Sequence, residues 1–131
     1  MLNKVIAIGR LTADPELQKT SKDKSLLRLN LAVNRRYKDQ NGERETDFLP
    51  LVVWGKLAES LANYAGKGSL ISIEGEVRTG RYEKDGQARF VTEILLSSFQ
   101  LLESRAQRAL RENQQGYELE SLVMEEGELP F

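Results

Sequence analysis

Residues 46–76, TDFLPLVVWGKLAESLANYAGKGSLISIEGE, place one helical pattern between two strand patterns. Leu49, Leu51 and Val53 lie two residues apart, as they would on one face of a β-strand. Residues 56–65, KLAESLANYA, have helical spacing and are followed by two glycines, which is typical of a helix end. Residues 69–83 return to a strand pattern. The stretch therefore predicts a strand, a helix and a strand in succession.

Further strand patterns lie on both sides of this stretch. The polar segment TADPELQKTSKDK reads as a loop between the first two strands, and Asn41-Gly42 predicts a hairpin between the second and the third. A turn around Asp85-Gly86 predicts a second long hairpin. The predicted strands are residues 3–11, 25–37, 46–54, 69–83 and 88–103.

Three strands, a helix and two strands in this order fit an all-β fold with one short helix. The matching architecture is the five-stranded Greek-key barrel called the OB-fold, and an open α+β sheet is the alternative. Pro50 cannot donate a ladder hydrogen bond, so its strand is expected to lie at a sheet edge or to carry a bulge.

The composition argues against several classes of site. The 131 residues include no Cys and no His, which excludes a disulfide framework and thiolate metal sites and removes the commonest general base and zinc ligand. We therefore expect no enzyme, no metal and no cofactor. The apolar run of residues 5–8 is too short for a signal peptide, and no segment is as long as a membrane span. The expected location is the cytoplasm, without membrane contact.

Charge is distributed unevenly along the chain. The net charge is −1, from 19 Lys and Arg and 20 Asp and Glu. Residues 1–111 hold all 19 basic residues and 14 of the acidic ones, a net charge of +5. Residues 112–131 hold six acidic residues and no basic one, a net charge of −6. A basic body suits a polyanionic partner, while an acidic tail solvates the chain, competes for the basic surface or docks elsewhere. Chance segregation with a solvated terminus is the alternative.

This asymmetry divides the chain into two parts. We predict an OB-fold domain at residues 1–104 and a short tail at residues 105–131. Residues 104–112 are interpreted as a short basic helical extension, and residues 113–131 as a disordered acidic segment.

Several aromatic residues are predicted to point outward beside Lys or Arg. Phe48 and Trp54 lie on the strand face opposite the core residues, and Tyr82 shares a strand face with Arg78. Unpaired nucleic acid requires a ring on which each base can stack and a cation for each phosphate, and stacking is worth about 1–3 kcal/mol per base. Coverage by a second layer or by a subunit interface is the alternative. The four aromatics are Tyr37, Phe48, Trp54 and Tyr82.

The sequence resembles the bacterial single-stranded DNA-binding proteins in four stretches. These are NKVIAIGRLTADPEL, the NRRYKDQNGE hairpin, WGKLAESLANYAGKGSLISIEGEVRTGRYE and the acidic ending in LPF. The resemblance implies an OB-fold homotetramer, joined through the N-terminal strand and sheet packing, that wraps single-stranded DNA in the nucleoid. The short segment after Arg111 is similar to that of the short second member in some Gram-positive bacteria, which is associated with DNA uptake in natural transformation. Housekeeping and phage roles are alternatives.

The resemblance also implies roles for individual residues. It places base stacking on the same four aromatics, although the family often has Trp at the positions of Tyr37, Phe48 and Tyr82. It implies phosphate contacts at Lys56, Lys67, Arg78 and Arg81, and Arg35 and Arg36 are further candidates because they lie next to Tyr37 in the sequence. The acidic tip is expected to dock on replication, recombination and repair proteins, and it comprises Glu125, Glu126, Glu128, Leu129, Pro130 and Phe131.

Two other functions fit parts of the sequence. Asp47, Glu74 and Glu76 are candidate metal-binding carboxylates for nuclease chemistry, which requires carboxylates held around two ions about 4 Å apart. An OB-fold adaptor of the primosome, acting through protein contacts alone, is the second alternative.

Overall fold

The computed structural model describes residues 1–104, 106, 107, 109–111 and 113. Within this part of the chain, six strands and the helix α1 follow each other in order. They are β1 (Val5–Leu11), β2 (Gln18–Lys19), β3 (Ser25–Lys38), β4 (Arg44–Trp54), α1 (Gly55–Tyr64), β5 (Leu70–Lys84) and β6 (Gln87–Leu101). Residues 106, 107, 109–111 and 113 are also helical, in the region where the helical extension was expected. No described helix is long and apolar enough to cross a membrane.

The sheet closes on itself. Its order is β1-β5-β6-β4-β3-β2, and β1 also pairs with β3 through Arg10↔Ala32 and Leu11↔Leu31. β4 joins β6 by a short parallel ladder, while the other neighbours are antiparallel. The five long strands therefore form a closed barrel, which confirms the predicted OB-fold class, and the open α+β sheet was wrong.

One predicted loop contains a strand. β2 lies inside the segment interpreted as a loop and pairs with the start of β3 through Gln18↔Leu26 and Lys19↔Ser25. A strand of two residues cannot show the alternation by which strands are recognised in a sequence. The loop prediction was therefore wrong at these two positions.

The barrel interior is filled by the alternating apolar residues of the strands and by one face of α1. This is the burial expected from strand parity, since the largest fully buried side chains are Leu27, Leu31, Leu51, Leu61, Ile71, Ile73 and Val53. The closure of the barrel needs a glycine, because a Cβ atom at Gly9 would lie 2.3 Å from the carbonyl oxygen of Ala32.

Within the described chain, the strand β4 lacks a partner on its β6 side at Pro50, although it is not an edge strand as a whole. β4 pairs with β3 along most of its length, and its parallel ladder with β6 comprises Leu51↔Ile94 and Val52↔Leu95. Pro50 comes directly before that ladder, so no β6 partner is needed at its position. The register shift between β3 and β4 falls between Asn34 and Lys38, and not at the proline.

A partly buried carboxylate attaches the residues after β6 to the barrel. The side chain of Glu103 is 15% exposed and accepts hydrogen bonds from Arg111 Nε at 3.0 Å, Arg10 Nη1 at 3.3 Å and the Leu70 amide at 3.2 Å. Burial alone would raise the pKa of Glu103, but these hydrogen bonds outweigh it and hold the pKa below its usual value. Arg111 lies beyond the proposed domain boundary at residue 104 and nevertheless contacts the barrel. The position of that boundary stays a prediction.

Candidate nucleic-acid interface

The four predicted stacking residues all expose their rings. Tyr37 is 77% exposed, Phe48 61%, Trp54 43% and Tyr82 51%. None of the four rings is therefore buried within the described chain, and each has the open face that stacking requires.

Phe48 and Trp54 are presented by the outer face of β4. The inward positions of this strand are taken by core residues such as Leu51 and Val53, which turns Phe48 and Trp54 outward. Phe48 lies opposite Ala32 of β3, a side chain too small to cover an aromatic ring. Trp54 follows Phe48 by six positions along the strand, which corresponds to about 20 Å. The two rings can therefore serve different nucleotides along one strand.

Val52 lies between these two rings on the same face, yet it is only 6% exposed. Arg28 of β3 pairs with Val52, and Val52 pairs with Leu95 of β6. Arg28 also forms an ion pair with Glu93, two residues before Leu95, and this pair crosses β4 above Val52. The ion pair therefore divides the outer face of β4 into separate platforms at Phe48 and Trp54.

Tyr82 lies on a projecting hairpin. Every side chain from residue 77 to residue 90 is exposed, so the ends of β5 and β6 form an arm that extends beyond the barrel. Tyr82 pairs with Arg89 across this arm, whereas Arg81 pairs with Phe90. Paired residues share a face, so Arg81 lies on the side opposite Tyr82. Arg81 is close to Tyr82 in sequence but does not flank its ring.

Phe90 was missed by the sequence analysis. It is 79% exposed and gives the arm a second aromatic side chain, on the same face as Arg81. Counting outward in pairs from the Asp85-Gly86 turn would have identified this partner, because Lys84 pairs with Gln87 and each following pair is one step further along.

The predicted phosphate-binding residues differ in how they are engaged. Arg35 donates two hydrogen bonds to Asp47, at 3.1 Å each, and its Nη1 lies 2.7 Å from Glu45. The hydrogen bond from Arg35 is the main cause that lowers the pKa of Asp47. Arg35 is thus balanced by two carboxylates, while the neighbouring Arg36 lies 5.6 Å from the centre of the Tyr37 ring. Arg36 therefore brings a cation beside an exposed ring.

The remaining candidates lie on β5, α1 and the loop that follows α1. Arg78 contacts Glu76 at 2.9 Å. Lys56, Lys67 and Arg81 have no ion-pair partner among the described residues. These three side chains can therefore bind phosphates without first breaking an ion pair within the described residues.

The carboxylates proposed for nuclease chemistry are engaged in ion pairs. Asp47 binds Arg35, Glu74 lies 3.1 Å from Lys4, and Glu76 binds Arg78. The described residues contain no group of three or more His, Cys, Asp or Glu that could hold a metal ion. The three acids therefore act as partners of basic side chains.

Three lysines close to Trp54 were also missed. Lys19, Lys22 and Lys24 lie in the segment interpreted only as a polar loop, and the structure brings them to one cavity with Trp54 and Lys56. The concentration of lysines in this segment was visible in the sequence, but their position beside Trp54 depends on the pairing of β2 with β3. The tip residues Glu125, Glu126, Glu128, Leu129, Pro130 and Phe131 lie outside the described residues.

The sequence of the chain matches one family of known proteins along the whole barrel. The profile of the Single-strand binding protein family matches residues 2–102. The chain is 66% identical, over all 131 residues of both proteins, to Single-stranded DNA-binding protein 2 of Streptococcus agalactiae serotype V. It has the same identity, over the same span, to Single-stranded DNA-binding protein 1 of Streptococcus pyogenes serotype M6. It is 47% identical over 114 residues to the Single-stranded DNA-binding protein of Streptococcus mutans, covering 86% of this chain and 70% of that one.

The family match spans β1 to β6, the whole of the closed barrel, and the similarity to the two full-length relatives continues to the last residue. The exposed aromatic residues and the available cations lie within the matched residues. By its sequence and its fold, the chain belongs to the single-strand binding protein family.

Proposed function

We propose that this protein binds single-stranded DNA without sequence specificity, by stacking bases on Tyr37, Phe48, Trp54 and Tyr82. The observation that carries the proposal is that all four rings are exposed, on the β3–β4 surface and on the β5–β6 arm. Every base has a flat π-face, so stacking tolerates any sequence, whereas a duplex keeps these faces covered. The names of the similar proteins support DNA as the ligand.

Phosphates are bound in this proposal by cations next to the rings. Lys56 follows Trp54 by two residues, Arg36 lies beside Tyr37, and Arg78 shares the Tyr82 face of the arm. Lys67, in the loop after α1, and Arg81, on the opposite face of the arm, are further candidates, while Arg35 contributes less because Asp47 and Glu45 balance its charge.

The family consists of DNA-binding proteins that are not enzymes, which confirms the prediction that this chain is not one. A primosomal adaptor that binds only proteins would not need four exposed rings with cations close by. That alternative would be favoured if micromolar protein left single strands unshifted at low salt.

We also propose assembly into a homotetramer through β1 and sheet packing. β1 pairs with β5 along Val5–Arg10 but with β3 only at Arg10 and Leu11, so its first residues have one side without a strand partner in the described chain. Ile6 and Ile8, on the outer face of β1, are 68% and 56% exposed. Pairing of β1 with a second copy would satisfy the edge and bury these side chains.

Titration of poly(dT) against Trp54 fluorescence tests the proposed binding. Trp54 is the sole tryptophan of the chain, so its quenching reports stacking at one platform. The logarithm of the binding constant is expected to fall linearly with the logarithm of the salt concentration, with a slope of about −0.7 per phosphate neutralised. Lys56→Ala should make this salt slope shallower by about that amount per subunit contacted. The control is Lys4→Ala, which removes the same charge from a lysine paired with Glu74. Salt-insensitive binding would contradict the electrostatic part of the proposal.

The acidic tip is proposed to recruit other proteins to the coated strand. Pro130 favours an extended backbone at Leu129, and the Phe131 ring follows the carboxylates of Glu125, Glu126 and Glu128, so the tip can fill an apolar pocket that has a basic rim. The tip is assigned to replication, recombination and repair proteins, and the short tail to a role in natural transformation. A cytoplasmic, nucleoid-associated location follows from this role.

Removal of residues 125–131 is expected to abolish these protein contacts and leave DNA binding unchanged or slightly tighter, because a competing negative segment is lost. Phe131→Ala, which keeps the side-chain carboxylates, should weaken each contact by about 1.5–3 kcal/mol through the lost burial of its ring. Both are measured with purified partner proteins immobilised on a sensor surface. If the truncated chain binds these partners as well as the full chain does, the tip is not the docking site.

A further inference from the structure

We propose that the turn between β2 and β3 forms a phosphate-binding subsite beside Trp54, so that a bound strand continues from the Trp54 ring over a lysine-lined cavity. This lysine cavity has a volume of about 790 Å³ and is lined by Lys19, Lys22, Lys24, Trp54, Lys56 and Glu59, among others. The inference rests on the proposed function, since the ligand is the sugar-phosphate backbone of the same single strand.

Strand register explains why a distant loop reaches Trp54. Gln18 of β2 pairs with Leu26 of β3, and Leu26 pairs with Trp54 at the end of β4. The turn that follows β2 therefore extends past the end of β4, where α1 begins. Lysines about 30 residues away in the sequence are thus brought to one aromatic ring.

The turn is held by its own backbone. The Thr20 amide donates to the Lys24 carbonyl at 2.9 Å, and the Asp23 amide donates to the Thr20 carbonyl at 2.8 Å. The Lys24 amide also donates to the Thr20 hydroxyl at 3.2 Å. Asp23 adopts φ +61° to complete the reversal. Because the backbone is already ordered, a ligand would need to order only the lysine side chains.

The charges of the cavity do not cancel. Lys19 donates to the Ser25 hydroxyl at 3.0 Å and lies 3.8 Å from Glu59, so this lysine and this carboxylate offset each other. Lys22, Lys24 and Lys56 have no ion-pair partner among the residues that the structure describes. Asp23 is the other acid of the lining. Three lysines against one carboxylate leave the cavity positive.

The lining combines an aromatic ring with lysines, as binding of a nucleotide requires. Its volume lies within the range of about 300–1,000 Å³ typical of small-ligand sites, so a nucleotide can enter. The half-exposed indole supplies a stacking surface. Lysine ammonium groups are mobile point charges that can donate to phosphate oxygens in many positions. Such contacts neutralise the sugar-phosphate backbone without contacting base edges, as binding of any sequence requires.

The test is the double variant Lys22→Ala/Lys24→Ala, with oligothymidylate as the probe and Trp54 fluorescence as the readout. Both side chains are exposed, so the melting temperature should not change. The salt slope is expected to become shallower by about 1.4 per subunit contacted, which is twice the contribution of one phosphate. Ser21→Ala is the matched control, because it changes the same turn without removing a charge, and its slope should equal that of the unmodified protein.

The outcomes separate the subsite from the proposed function. Quenching of the unmodified protein with an unchanged slope in the double variant overturns the lysine subsite and leaves single-strand binding intact. No quenching of the unmodified protein, together with no shift of a labelled oligonucleotide, overturns both. A shallower slope with the full Trp54 quenching retained at saturation supports the subsite.

Discussion

The double variant Phe48→Ala/Trp54→Ala is expected to bind single-stranded DNA about 30-fold to 20,000-fold more weakly than the unmodified protein. Each exposed ring is assigned one stacked base worth about 1–3 kcal/mol, so two rings contribute about 2–6 kcal/mol. The fold should survive, since Phe48 and Trp54 are 61% and 43% exposed and their removal leaves no enclosed cavity. The affinity is measured by anisotropy of a labelled oligonucleotide, because the variant has lost its tryptophan.

Tyr64→Ala provides the matched control for this variant. Tyr64 is 51% exposed at the end of α1 and is not among the proposed stacking residues, so its loss should leave the affinity within a factor of about two, as for most surface substitutions. A double variant that stays folded and binds with full affinity would refute the stacking assignment. A large fall in melting temperature would instead show that these rings support the barrel.

Strand parity predicted the directions of Phe48 and Trp54 because each inward side chain on β4 fixes the direction of its neighbours. Parity could not predict that Val52 would be covered between them. That burial depends on Arg28 and Glu93, which belong to two other strands and meet only because β4 lies between β3 and β6. Alternation within a strand is local information, whereas coverage of a face is set by the sheet order.

The same distinction explains the lysine cavity and the arm. Lys22 and Lys24 were visible as charges in a polar segment, but their proximity to Trp54 follows from a two-residue strand that has no periodicity of its own. Arg81 is next to Tyr82 in the chain, but adjacent residues of a strand point to opposite faces. The pairing across the arm shows instead that Arg81 accompanies Phe90.

Gly9→Ala is expected to destabilise the barrel by more than about 3 kcal/mol, beyond the usual range of about 1–3 kcal/mol for an overpacked site. Its Cβ atom would lie 2.3 Å from the Ala32 carbonyl oxygen and 3.0 Å from carbons of Leu31 and Val33. The oxygen belongs to the backbone of β3, directly at the Arg10↔Ala32 pair that closes the barrel. Relief of the clash therefore requires β1 and β3 to separate, with loss of closing contacts between the two strands.

A loss of this size lowers the melting temperature of a domain of about 100 residues by about 12 °C or more, and it is measured by thermal unfolding at one fixed protein concentration. Gly80→Ala is the control, because its Cβ would meet only a Val91 methyl group at 3.3 Å on the exposed arm, where a side chain can move aside. A Gly9→Ala protein that melts within about 3 °C of the unmodified one would show that β3 can shift without opening the barrel. Since Phe48 lies opposite Ala32, separation of β1 from β3 should also disturb a stacking platform. Gly9→Ala should therefore lose DNA affinity together with stability, whereas the double aromatic variant loses affinity alone.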